Sequence, residues 1–322
     1  MLELFGPLDT AFRTLSAELA AWFSVYPEGA LWNVISDYCI GDPGKKNDTF
    51  AFSILVNHDT GQNIREHIAA VAPSDIKSSR SIPTGLIEYF NCPVAFSVTF
   101  VLPRNSTLLR NYVSVENIAD GLPDLENVLR IMQANVPARS AYFEEVIARI
   151  RSFKRDIERR KGFNAKLARR VFLTAVFAAQ IFKQLAVLKR PAYIRWISDR
   201  DAILDRYDGV VCDLAYTYFL LTYGATLGGS QEGELVIIDK PDIIFEVPER
   251  TGVHRHDELV RLPDYLAGTL ADLDIETINF THPKFETLFK TVFINSPNNA
   301  IIRVMGNAER LTAQRLLFQG TE

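Results

Sequence analysis

Five aspartates far apart in the sequence could do chemistry here: Asp37, Asp75, Asp199, Asp201 and Asp264. Asp37 follows Trp32, Val34 and Ile35, residues that favour a strand. A carboxylate in an apolar strand is costly to bury unless something positive pairs with it. The plainer reading leaves Asp37 at the strand end, capping the turn that follows. Asp199 and Asp201 flank Arg200 after a second strand-forming run that contains Tyr193, Ile194, Trp196 and Ile197. A helix over residues 202–223 needs one of these acids as its cap and does not need both. We assign the cap to Asp201, because it adjoins Ala202, and keep Asp199 as the acid at the strand end. Asp75 and Lys77 lie in a polar, donor-rich loop over 73–85, where a solvated loop explains the pair equally well. Asp264 lies in a helix over 257–274 whose Leu259, Leu262, Leu266, Leu270 and Leu273 share one stripe. It falls on the side of Arg261 and Gly268, and the small Ala267 and Gly268 let other backbone approach. The plainer reading is a surface acid.

A second group is basic. Arg149, Arg151, Lys154, Arg155, Arg159, Arg160, Lys161, Lys166, Arg169 and Arg170 crowd one stretch, and Asp156 and Glu158 offset little of it. Such a run is either a solvated helix face or a surface that tracks phosphates. On the second reading, Lys154, Arg155, Arg159, Arg160, Lys161, Arg169 and Arg170 contact nucleic acid.

The elements that must position these groups alternate between strand and helix patterns. Asp42, Pro43 and Gly44 make a turn, with residues 45–48 as its polar tip. Phe50, Phe52, Ile54 and Val56 then recur with period two, the mark of a half-buried strand. Residues 8–25 read as one amphipathic helix capped by Asp9, packed on the outside of the core or on a partner chain. Residues 63–71 read as a short helix and 92–103 as a third strand. Residues 123–190 are helical, broken near Gly162, and 171–188 form a buried helix too interrupted by Gln180, Lys183 and Gln184 to span a membrane. Two short strands are expected within 234–247. His254 and His256 in the turn after them lack a third ligand nearby. A strand at 292–295 and a closing helix over 300–318 read as an appendage.

Of the 322 residues, 48% are hydrophobic, ample for a sizeable core. The net charge of −4 and a pI of about 5.8 exclude a globally basic binder, so any nucleic-acid contact must be a local patch. Cys39, Cys92 and Cys212 are scattered, odd in number and without metal-ligand spacing; they read as reduced core residues of a cytoplasmic protein. Neither a leader nor an apolar run long enough to span a bilayer is expected, so no membrane partner.

The order strand-Asp37, then Gly41-Asp42-Pro43-Gly44, then a hydrophobic strand resembles the opening of the family catalogued as domain of unknown function 3800. That family usually opens Asp-Glu-Ser-Gly; here the run is Asp37-Tyr38-Cys39-Ile40, keeping the aspartate alone. Asp75-Ile76-Lys77 is similar to its carboxylate, apolar residue and lysine. Leu262-Pro263-Asp264-Tyr265-Leu266-Ala267-Gly268 resembles its closing helix, with Pro263 placing Asp264 in the first turn. The resemblance covers about residues 32–274, with the helical middle as an insertion. It implies an α/β protein with a ribonuclease H-like mixed sheet, a helical insertion and flanking N- and C-terminal helices. It divides the chain into an N-terminal helix (1–30), a first core half (31–122), the insertion (123–190), a second core half (191–280) and an appendage (281–322).

The resemblance also implies a metal site. Asp37, Asp199 or Asp201, and Asp264 would be its ligands, Asp75 a fourth, and Lys77 a group orienting phosphate or water. Carboxylates from separate elements repel one another in a low-dielectric site, and divalent cations remove that repulsion. Two ions about 4 Å apart can activate water and stabilise a leaving oxygen in phosphodiester cleavage. Oxygen ligands favour Mg2+ or Mn2+ over zinc. Three readings follow: a metal-dependent nuclease acting on RNA or DNA; a catalytically weakened relative serving as a binding or assembly module, for instance in antiviral defence; and an unrelated α/β protein whose acids are caps. Loss of the Glu after Asp37 speaks for the second. The N-terminal helix is the candidate face for a homo-oligomer or a protein partner.

Overall fold

The computed structural model describes residues 2–104, 112–159, 162–226, 241–246, 256–306 and 310–320. Within these the chain is an α/β protein built on one mixed seven-stranded sheet. The strands are β1 (Leu31–Cys39), β2 (Asn47–Val56), β3 (Ala95–Pro103), β4 (Tyr193–Ser198), β5 (Asp242–Glu246), β6 (Asn299–Gly306) and β7 (Leu311–Leu316), in the spatial order β5-β4-β1-β2-β3-β6-β7. The first three run antiparallel as successive neighbours. β4 then returns to the free edge of β1 and pairs parallel to it, and β5 pairs parallel to β4. β6 pairs parallel to β3, and β7 antiparallel to β6.

Period-two alternation gives the sheet two apolar faces. Trp32, Val34, Phe50, Phe52, Phe96, Val98 and Phe100 face one large core. The helices α1 (Phe5–Arg13), α2 (Ser16–Ser24), α5 (Val115–Asn135), α6 (Ser140–Arg159), α7 (Ala165–Lys189) and α9 (Val210–Thr226) contribute to that core. Ile35, Ala51, Leu55, Val101 and Ile197 face a second, smaller core. It is covered by α3 (Gly61–Val71), α4 (Thr84–Asn91), α10 (Asp257–Asp272) and α11 (Pro283–Leu288).

α10 is tied to the sheet through its own carbonyls. The Asn47 amide donates to Leu270 O (2.9 Å) and Leu273 O (2.7 Å), and Thr49 Oγ1 donates to Ala267 O (2.9 Å). These bonds bring the helix down across β1 and β2. Gly268 permits a close approach on the other side, since a Cβ there would stand 2.9 Å from Ile76 Cγ2.

Several expectations are corrected. Where a closing helix was expected over 300–318, the described residues form β6 and β7, which extend the main sheet instead of hanging from it. Residues 289–293 are a π-helical turn where a strand was expected at 292–295. The first helix is two, split where the Thr14 hydroxyl bonds back to Ala11 O. Asp9 is inside α1, not its cap, and accepts from Lys183 Nζ (2.8 Å) and the Gln180 amide (2.8 Å). The apolar side of α1 and α2 packs in the large core, the first of the two placements expected for this segment. The helix expected over 202–223 breaks into α8 (Ala202–Asp205), a 3-10 turn and α9, because Tyr207, Asp208 and Gly209 all have left-handed backbone. Pro263 lies inside α10, so Asp264 is in mid-helix and not in the first turn. α7 is long and apolar enough to cross a bilayer, with mean hydropathy 1.8, contrary to the expectation, but 83% of that window is buried inside the protein. Of the two strands expected within 234–247, β5 is present; residues 235–239 lie outside the described residues, as do His254, Arg160 and Lys161.

Candidate functional site

β1 and β4 run parallel with Ile35 beside Ile197 and Ser36 beside Ser198. The Asp199 amide donates to Ser36 O (3.0 Å), carrying the ladder one residue past β4. That register sets Asp199 next to Asp37, on the face of Ile35 and Ile197, which is also the face α10 covers. Asp264 descends from α10 onto the same spot. Asp37, Asp199 and Asp264, with Asp75, Lys77 and Asp201, line one open cavity of about 1180 Å3. Asp37, Asp199, Asp201 and Asp264 are half-buried, and Asp75 and Lys77 are exposed.

The electrostatics separate these acids. Burial, then the negative charges of Asp264 and Asp199, hold the Asp37 carboxyl well above the usual carboxylate range. Asp264 is also raised, chiefly by burial and then by the charge of Asp75, while the Ile76 amide (2.8 Å) opposes the shift. Asp37 and Asp264 hydrogen-bond to each other, which two ionised carboxylates cannot do. They therefore titrate as a pair that shares a proton, with both carboxyls raised.

Asp75 and Asp201 are otherwise engaged. Asp75 Oδ1 accepts from the Ser78 amide (2.7 Å), which holds its carboxyl below the usual range. Asp201 caps α8, accepting from the Ile203 amide (3.3 Å). Among the described residues no group of three or more Asp, Glu, His or Cys side chains could hold a metal ion as they lie. The near approach is the Asp37–Asp264 pair with the charge of Asp199 beside it.

Cations share the cavity wall with the acids, and the sequence reading missed most of them. Lys45 pairs with Asp272 (2.9 Å), and Arg261 donates to Ala72 O (2.7 Å). Arg200 Nε and Nη2 are buried with no hydrogen-bond partner among the described residues. Its signal was available, since an arginine held between two acids at a strand end must point somewhere. Cys39 is also on the wall, with burial pushing its thiol up to about 11, so it is a protonated bystander at neutral pH. All three cysteines are free thiols.

The basic run is less free than its sequence suggests. Arg149 makes a forked pair with Asp213 (2.6 and 3.0 Å), and Arg151 Nε reaches Glu126 (2.9 Å). Lys154 pairs with Glu158 (3.6 Å) and Arg159 with Asp156 (4.0 Å). Arg169 donates to Val113 O (3.0 Å) and Arg170 to Ile40 O (3.1 Å). Acids from α5 and α9, distant in sequence, supply the balance that the local run lacked. Arg155 is exposed. His256 is buried beside Glu246 (3.3 Å), and its pKa is lowered by burial.

No family model matches the chain, and neither a curated protein nor a solved structure is similar to it.

Proposed function

We infer that the chain is a divalent-metal-dependent nuclease of ribonuclease H-like architecture, a divergent relative of the domain of unknown function 3800 family. The observation that carries this reading is the raised, proton-sharing pair Asp37–Asp264 with Asp199 beside it, drawn from β1, α10 and β4 onto one cavity. Three successive antiparallel strands, with β4 and β5 added parallel at the β1 edge, are the supporting architecture.

In donor type the set suits Mg2+ or Mn2+, and its members would have to draw closer together than they lie to hold one. It is all carboxylate oxygen, and its like charges are now relieved by a proton where a cation would serve better. Asp37, Asp264 and Asp199 would hold the ion. When bound, the ion supplies charge neutralisation at the scissile phosphate and lowers the pKa of attacking water. Asp37 and Asp264 would release their shared proton on loading, so affinity should rise with pH. Lys77 and Arg200 would hold phosphate oxygens against the acids. Hydrolysis then adds water across one P–O bond: the water oxygen joins phosphorus, the bond to the leaving oxygen breaks, and that oxygen takes a proton.

A second reading has its own observation. Among the described residues no three acids are grouped to hold an ion, and Tyr38 stands where the family has Glu, its hydroxyl bonded to Ser36 (2.6 Å) and Ser198 (3.1 Å). That suits a weakened module that binds without cutting. Capping accounts for Asp201 and Asp75 but not for two carboxyls in contact. The test is cleavage of labelled single-stranded and duplex RNA and DNA with Mg2+ or Mn2+. Cutting that needs metal and is lost in Asp37→Asn supports the nuclease. Binding without cutting on every substrate favours the module.

A further inference from the structure

The turn after β1 and the start of α7 meet at Gly41, on the wall of the acidic cavity. Gly41 has φ +73°, in the left-handed region, and its amide donates to Asp48 Oδ1 (2.7 Å). Its lack of a side chain is occupied by charge. The Arg170 Nη2 atom overlaps the place a Cβ would take, and Lys166 Nζ stands 2.9 Å from that place. Two cations one helical turn apart on α7 thus converge over one backbone position. Lys166 is exposed and makes no ion pair among the described residues. Arg170 spends one N–H on Ile40 O (3.1 Å), and its Nε is buried with no hydrogen-bond partner.

Like charges held together without a bridging acid are costly, and four of the six other described cations of the basic run have an acid to hand. We propose that Gly41, Lys166 and Arg170 form a seat for one backbone phosphate of a nucleic-acid strand, at the Gly41 edge of the cavity that Asp37 and Asp264 line. The guanidinium and ammonium offer several donors to one phosphate. Gly41 lets the Arg170 guanidinium lie against the turn that leads out of β1, so that it and Lys166 present their donors together. The seat contacts no base edge, so it holds a strand whatever its sequence. This inference rests on the nucleic-acid reading above, though not on cleavage. Of the cations expected to contact nucleic acid it keeps Arg170, adds Lys166, and places the contact on the first turns of α7 instead of on α6.

The test is a binding titration with labelled single-stranded and duplex RNA and DNA at several salt concentrations, with chelator present so that nothing is cut. Lys166→Gln and Arg170→Gln should each weaken binding about fivefold and each reduce the salt slope by about one. Arg155→Gln should cost less than either. Inorganic phosphate should compete with the strand for the wild-type protein and less so for the double variant. Thermal melts of Lys166→Gln, whose side chain is exposed, guard against a folding effect. The proposal is overturned if the wild-type protein binds none of these at low salt, or if Lys166→Gln binds as the wild type does. Affinity lost with an unchanged salt slope, or Arg155→Gln costing as much as Lys166→Gln, would overturn it too. The nuclease reading is scored apart: seat-dependent binding together with no metal-dependent cutting would retire that reading and leave the seat standing.

Discussion

The two faces of the sheet treat charge in opposite ways. On the α7 face the interior is aromatic: Phe177 stacks on Phe100 at 4.2 Å and meets Phe50 edge-on at 5.0 Å. Three charges that reach into that face have partners. Lys183 meets Asp9, Arg149 meets Asp213, and Lys189 Nζ donates to the Phe23 carbonyl (2.8 Å). On the α10 face, Asp37, Asp199 and Asp264 are set against one another, and burial and repulsion leave a proton shared between two of them. The first face is built for stability. The second gives some stability up, as sites that must later hold a cation or substrate commonly do.

The largest expected effect is therefore on the first face. Phe177→Ala removes a fully buried ring and should cost about 4 kcal/mol in denaturant unfolding. A cost under about 1 kcal/mol would mean the aromatic layer is not the stabilising core described here.

Asp37→Asn should do the reverse. Removing the ionisable partner of a like-charge pair should raise stability at neutral pH by about 1 kcal/mol. The same variant should change the pH profile. The folded pKa of Asp37 lies above its unfolded value, so between the two the folded state binds more protons, and stability falls as pH rises from about 4 toward the folded pKa. Asp75, Asp272 and Glu126 have lowered values and slope the other way. The profile is therefore read as wild type minus Asp37→Asn, which should show the fall. A flat difference would take Asp37 out of the pair.

The β4 end sharpens the comparison within one tripeptide. Asp201→Ala should cost at most about 1 kcal/mol of stability, for the lost cap of α8. Asp199→Asn should cost little stability and most of any metal-dependent activity. Interchanged outcomes would reverse these two assignments.

How much of this was legible varied with position, for physical reasons. β1, β2, β4 and α10 could be read because each carries one clear run of strand- or helix-forming residues. Asp201 as cap and Asp199 at the strand end followed from distance to Ala202 alone. β6 was misread because it is covered on both faces: Ala300, Ile302 and Val304 enter the large core and Ile301 the small one, so no alternation remains to mark a strand. The break before α9 had a signal, the Asp208-Gly209 pair, which a long helical pattern overrode. The basic run looked unrelieved because its balancing acids, Glu126 and Asp213, come from other helices. Pairings of that kind belong to tertiary structure and leave no local trace. The same holds for Arg170 over Gly41, some 130 residues apart.

The central claim is that the shared proton of Asp37 and Asp264 marks the seat of a divalent cation. The most direct measurement is the melting temperature of the wild-type protein, Asp37→Asn and Asp264→Asn with and without millimolar Mg2+ or Mn2+. An ion that binds only the folded state stabilises it by mass action. The account predicts a rise for the wild type that grows with pH and is absent from both variants. An equal rise in all three proteins, or none in the wild type at any pH, would contradict it.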